Sequence, residues 1–185
     1  MELDATTALV IIDVQKAIDE PCWDGKNNPD YQMRVQDLLS IWRVRKWPVF
    51  HVKHNEPNPA STYHTDKPTN DFKPETAPLP GEIVIEKEVN CAFIKTSLGS
   101  QLRTEGCDKI VFCGVVTHNS IDATVRHASC LGFLTYVVSD ACTAVPVVDK
   151  AGKRWEAEDV HNLYLGVLDG EYADVITMQD VFAGI

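Results

Sequence analysis

The chain has 185 residues, 44% of them hydrophobic, and a formal net charge of −10 at pH 7. That length and apolar content suit a single domain with a full core, expected to span residues 1–185. The acidic balance argues against a nucleic-acid or anionic-membrane surface, which would need clustered Lys and Arg.

Ala8-Leu-Val-Ile-Ile-Asp13 opens the chain as a strand buried on both faces. Asn28-Pro29 is expected to supply an N-cap and an N1 proline to a helix with Tyr31, Val35, Leu38, Leu39 and Trp42 on one stripe. Pro48 to Lys53 is a second strand. Residues 55 to 80 carry six prolines and little apolar pattern, so a long irregular loop is expected, of the kind that usually serves function. Glu82 to Glu86 is a third strand, followed by a short helix with Leu98 and Leu102.

Lys109 to Gly114 is a very apolar and so central fourth strand. The helix after it carries Ile121, Thr124, Val125, Ala128 and Leu131 on one face. Leu134 to Ser139 is a fifth strand, a last helix contains Trp155, Val160, Leu163 and Val167, and Asp174 to Thr177 can close the sheet. Strands alternating with helices predict a three-layer α/β/α fold around a central, mainly parallel six-stranded sheet.

The six cysteines, Cys22, Cys91, Cys107, Cys113, Cys130 and Cys142, form no CxxC pair and mostly lie in apolar runs. They read as reduced thiols, because a chain of this size and apolar content needs no disulfide staples. The first apolar run ends at Asp13, too early for a signal or membrane segment. A soluble, cytoplasmic protein is the expectation.

In open parallel sheets ligands bind beyond the carboxyl ends of the strands. Three polar residues fall there: Asp13 after the first strand, Lys87 after the third, and Ser120 in the turn Gly114-Val-Val-Thr-His-Asn-Ser120 after the fourth. Each has a plain alternative. Asp13 could cap a turn, Lys87 could be a solvated charge between Glu86 and Glu88, and Ser120 could be a helix N-cap.

Their surroundings decide between these readings. Leu9-Val-Ile-Ile-Asp-Val-Gln15, Lys87 with Cys91-Ala-Phe93 and Thr96-Ser-Leu98, and Gly114-Val-Val-Thr117 with Ala123-Thr124 and Ala128 together resemble the isochorismatase-like cysteine hydrolase superfamily. Pro48-Val-Phe-His51 and Val160-His161 extend the likeness over nearly the whole chain. The resemblance implies a Rossmann-like fold and an Asp–Lys–Cys triad. Asp13 matches the general base and Lys87 the lysine beside the nucleophile, but the nucleophile's place holds Ser120.

That departure matters chemically. A thiol has an ordinary pKa of about 8.5 and readily ionises beside a cation at a helix N-terminus, whereas an alcohol is a far weaker acid for a carboxylate base. His118, two residues from Ser120, is a minor candidate to assist a serine. Ser120 is either a substitution made to hold substrate in an intact pocket or the natural residue of a member with altered chemistry.

For the cysteine form the resemblance implies hydrolysis of a small amide or imide C–N bond. The oxyanion would sit on the backbone N–H groups of Val116 and residue 120, beside a cis Val115–Val116 peptide. Phe93, Trp23, Tyr63 and Phe72 are candidate apolar walls, and Asn119, His118 and His54 candidate polar contacts. No cofactor is expected. Nicotinamidase-type members hold a metal through an Asp-x-His segment, but the comparable stretch here is His51-Val-Lys-His54 with a later His64, and no metal site is expected.

The competing readings are vinyl ether hydrolysis of the isochorismatase type and a non-catalytic binding or scaffold protein. A small-molecule substrate and self-association into dimers or tetramers complete the expectation.

Overall fold

The computed structural model describes residues 2–185. Six strands form the central sheet: β1 (Thr7–Ile12), β2 (Val49–His54), β3 (Ile83–Lys87), β4 (Lys109–Val115), β5 (Leu134–Thr143) and β8 (Asp174–Ile176), all pairing in parallel in the order β3-β2-β1-β4-β5-β8. A small antiparallel ribbon, β6 (Val147–Val148) with β7 (Arg154–Trp155), stands apart. The helices are α1 (Tyr31–Arg45), α2 (Leu98–Thr104), α3 (Asp122–Cys130), α4 (Ala157–Leu168) and α5 (Met178–Ala183).

The period of two in β1 explains the layers. Leu9 and Ile11 join a cluster with Tyr31, Val35, Leu38, Leu39 and Trp42 of α1 and with Met178 and Val181 of α5. Ala8, Val10 and Ile12 join another with Leu98 and Leu102 of α2, Val125 and Ala128 of α3, and Leu165 and Leu168 of α4. The chain therefore adopts the expected three-layer α/β/α fold, with a mainly parallel six-stranded sheet. The order reverses direction between β1 and β4, which opens a crevice at their carboxyl ends.

Several local expectations are corrected. Asn28-Pro29 does not start α1, whose N-cap is Asp30. Asn28 instead takes a left-handed backbone, φ 46°, and its side chain donates to the carbonyls of Ser139 and Cys142. Those β5 carbonyls need donors where the strand leaves its regular ladder. Trp155 lies in β7 and not in the last helix, because Glu156 is extended and α4 starts at Ala157. Its buried stripe is Ala157, Val160, His161, Leu165 and Leu168, while Leu163 and Val167 face outward. Leu131 likewise is exposed beyond the end of α3.

β5 runs on to Thr143, past an irregularity opposite Phe112–Gly114. α5 was legible as a Thr-x-x-Asp capping box, Thr177 with Asp180, that the apolar periodicity alone overlooks.

Glu82 fastens α1 to the start of β3. Arg43 grips its two oxygens at 2.7 and 2.9 Å, His51 Nε2 lies 2.8 Å from Oε2, and the Leu79 N–H donates to the same oxygen at 2.8 Å. Burial, the largest single influence, pushes this carboxyl up, but the guanidinium, the Leu79 N–H and His51 together bring it to about 2 from 4.5. Because the folded value lies below the unfolded one, the stabilisation is complete above about pH 4.5 and fades as pH falls towards 2. Glu82→Gln is accordingly expected to melt lower than the parent at neutral pH. The gap should close in acid, as melting temperatures between pH 2 and 7 would show.

Candidate active site

Asp13, Lys87 and Ser120 meet in the crevice, carried there by three different strand ends. Asp13 follows β1 with φ 55°, a left-handed turn held by its N–H on the Val52 carbonyl at 3.0 Å. Gly114, near the end of β4, has φ 119°, and a Cβ there would lie 2.2 Å from the Ile12 carbonyl oxygen. Only glycine lets β4 press this close to β1 just before Asp13. The next peptide but one, Val115–Val116, is cis. A single wide turn, Thr117–Ile121, then leads into α3, with the Ile121 N–H reaching back to Val116 O.

The three plain alternatives do not fit this geometry. Lys87 has a fully buried side chain, so it is not a solvated charge. Ser120 lies inside the wide turn, and no side chain caps α3. Asp13 caps nothing: Oδ2 takes Lys87 Nζ at 2.7 Å, and Oδ1 is buried with no hydrogen-bond partner among the described residues.

Lys87 Nζ is the hub. Besides Asp13 it lies 2.8 Å from His54 Nδ1 and 3.1 Å from Ser120 Oγ. An ammonium has three protons and here finds three acceptors. His54 Nδ1 must then accept, which places the imidazole proton on Nε2, from which it is donated in a hydrogen bond to Glu56 Oε2 at 3.2 Å.

A buried ion pair contributes little net stability, but a lone buried partner costs about 3–5 kcal/mol. Lys87→Met is therefore expected to lower the unfolding free energy by about that much. Urea titration at pH 7 checks it, and adding Asp13→Asn should restore part of the loss.

The long loop is tied to this hub by side-chain amides. Gln15 accepts the His54 N–H at 2.8 Å and donates to the carbonyls of His54 and Asn70 at 3.0 and 2.8 Å. Asn70 donates to the carbonyls of His54 and Tyr63 at 2.8 and 2.7 Å. Tyr63 donates to the Asp13 carbonyl at 3.3 Å, and its ring stands edge-on to both His54 and Trp23, each 5.7 Å away. Burial first, then Asp13, pushes the Tyr63 phenol well up.

A cavity of about 330 Å³ opens over Asp13 and Ser120. Of the expected lining residues, Trp23, Tyr63, His54 and Asn119 face it. Phe93 does not; it stacks on His127 and Phe133, with ring centres 5.4 and 6.2 Å apart. Phe72 packs edge-on against His51. His118 turns to Tyr164 in a neighbouring groove, so it is not placed to serve Ser120. Burial holds its imidazole below the usual histidine value.

Glu56, Asn58 and Asn90 also line the cavity and were not anticipated. Their only signal was Glu56 two residues after a strand-terminal His. Behind the wide turn, Thr117 Oγ1 lies 2.8 Å from Nδ1 of the buried His161. His51 and His54 diverge, one to Glu82 and the other to Lys87. Among the described residues no cluster of three His, Cys, Asp or Glu side chains forms a metal cradle.

A sequence model of the isochorismatase domain matches residues 7–180. The chain is a member of the isochorismatase family. It is 32% identical over 175 residues to the isochorismatase family protein YrdC of Bacillus subtilis, covering 95% of this chain and 94% of that protein. The crystal structure of an isochorismatase-family protein from Chromobacterium violaceum is 40% identical, covers all of this chain and 96% of its own, and superposes with a TM-score of 0.95. A maleamate amidohydrolase of Pseudomonas putida is 35% identical over 109 residues, 59% of this chain and 46% of that enzyme. No helix among the described residues is long and apolar enough to cross a membrane.

Proposed function

We propose that the protein is one hydrolase domain for a small amide- or imide-type C–N bond. Asp13, Lys87 and residue 120 are its catalytic set, and Ser120 stands where the family's nucleophilic cysteine stands. The observation that carries this reading is the convergence of three strand ends on Lys87 Nζ, 2.7 Å from Asp13 and 3.1 Å from Ser120. Its family membership and its partial likeness to an amidohydrolase support it.

With cysteine at 120, the unpaired Asp13 Oδ1 takes the thiol proton, and the thiolate attacks the amide carbonyl. The tetrahedral oxyanion rests on the backbone N–H groups of Val116 and residue 120. Asp13 returns the proton to the leaving amine, which departs and leaves a thioester. Water, deprotonated by Asp13, then releases the acid and restores the thiol. The serine form is slower because its hydroxyl resists that first proton transfer.

The same reading makes the protein a cytoplasmic dimer or tetramer. The six unpaired cysteines and the exposed Trp155, Leu163 and Val167 suit that reading. Ammonia release from a panel of small amides tests the proposal on the parent chain and on Ser120→Cys. Turnover confined to, or much faster in, the cysteine form supports it. Silence in both forms overturns it and favours a binding protein.

A further inference from the structure

We infer that the site selects its amide by charge, taking a neutral or cationic substrate and turning away one that carries a carboxylate. The inference rests on the amide-hydrolase reading and concerns what lies beyond the reacting carbonyl.

Few charged side chains line the cavity. No Lys or Arg is among the residues that line it. Lys87, which touches Asp13 and Ser120 from behind the wall, has a fully buried side chain, and its three protons already serve Asp13, His54 and Ser120. It has no donor left for a substrate carboxylate. Two carboxylates do face the cavity. Asp13 presents an oxygen with no partner, and Glu56 is half-exposed at the mouth, held by His54 Nε2 at 3.2 Å and by the Asn58 N–H at 3.3 Å. With His54 neutral, as its tautomer requires, the hub and the mouth together carry a surplus of one negative charge.

A substrate carboxylate would lose its water here and meet like charge without a compensating cation. An ammonium at the far end of the substrate meets the opposite situation. It approaches Glu56, and the Trp23 and Tyr63 rings beside it offer the aromatic surface that cations favour. The side-chain amides of Asn58, Asn90 and Asn119 can hydrogen-bond a neutral amide but do not neutralise an anion. The isochorismate dianion is thus the wrong charge for this cavity, whatever chemistry residue 120 performs.

Three amides of similar size make the test: β-alaninamide (cationic), butyramide (neutral) and succinamate (anionic). With Ser120→Cys, kcat/KM should fall from the first to the last, by about tenfold or more between cation and anion. Adding Glu56→Gln should bring that ratio to within about threefold, and Glu56→Lys should reverse its order. Thermal stabilisation of the serine form by the same three compounds reads the preference without turnover.

If no amide is hydrolysed but the cation still stabilises the fold more than the anion, the hydrolase reading fails and charge selection stands. If succinamate is preferred in either measurement, or the Glu56 variants leave the ratio unchanged, charge selection is overturned.

Discussion

Ser120→Cys is expected to hydrolyse a small amide on the order of 100-fold faster than the serine chain, within the range that general acid–base assistance supplies. The argument is one of acidity. Ser120 Oγ accepts a hydrogen bond from Lys87 Nζ at 3.1 Å, so an anion formed there would face an ammonium directly. A thiol with an ordinary pKa of about 8.5 needs only a modest shift to be ionised at neutral pH, and this contact acts in the required direction. A hydroxyl starts far higher, and the only unengaged base near it is a carboxylate oxygen of Asp13.

The substitution exchanges one atom within an existing turn, so a change in rate can be read as chemistry once equal melting temperatures are confirmed. Alkylation followed by mass spectrometry gives an independent signal. The thiol introduced at position 120 should react at neutral pH, whereas burial pushes the thiol of Cys142 up to about 12 and that of Cys113 well up. A cysteine form no faster than the serine form on any amide overturns the assignment of residue 120.

Gly114→Ala is expected to be the most damaging single methyl in the chain. The added carbon would stand 2.2 Å from the Ile12 carbonyl oxygen and 2.9 Å from its nitrogen. Both obstacles are backbone of the neighbouring strand, in the middle of a sheet, and cannot rotate aside. The residue also has φ 119°, a region closed to alanine without strain. Relief requires β1 and β4 to part where they are paired residue by residue from Thr7–Lys109 to Ile12–Gly114.

A loss above about 4 kcal/mol is expected, enough to leave a domain of ordinary stability largely unfolded. Gly106→Ala is the matched control. It too has positive φ, 70°, but nothing lies within 4 Å of the new carbon, so only the left-handed backbone strain of about 1–2 kcal/mol remains. Urea unfolding of the two variants separates contact from strain. Equal losses would show that the approach of β4 to β1 is not what requires glycine.

The fold was legible because periodicity reports burial. Continuous apolar runs marked the strands, and the stripe of Tyr31, Val35, Leu38, Leu39 and Trp42 is the buried face of α1. That Asp13, Lys87 and Ser120 come together was legible because each ends or follows a strand within a recognisable motif. Periodicity fails where a side chain's partner is distant in sequence. Asn28 had the composition of a cap, but β5 carbonyls more than a hundred residues away claim its amide. Phe72 and Phe93 had the character of pocket walls, and other aromatic rings hold them elsewhere. Glu56 and Asn58 lie in an irregular loop whose path follows from tertiary hydrogen bonds, which no local pattern encodes.

The five hydrogen bonds that Gln15 and Asn70 make with His54, Tyr63 and one another hold the long loop against the end of β2 with no ligand needed. Ordering a loop is an entropic cost that many enzymes meet at the moment of substrate arrival. Here it falls within the folding reaction, long before any ligand is present. Encounter should therefore be a single docking step into a ready cavity, with one kinetic phase. Amide hydrogen exchange along residues 55–72 should be as slow in the empty protein as in the occupied one.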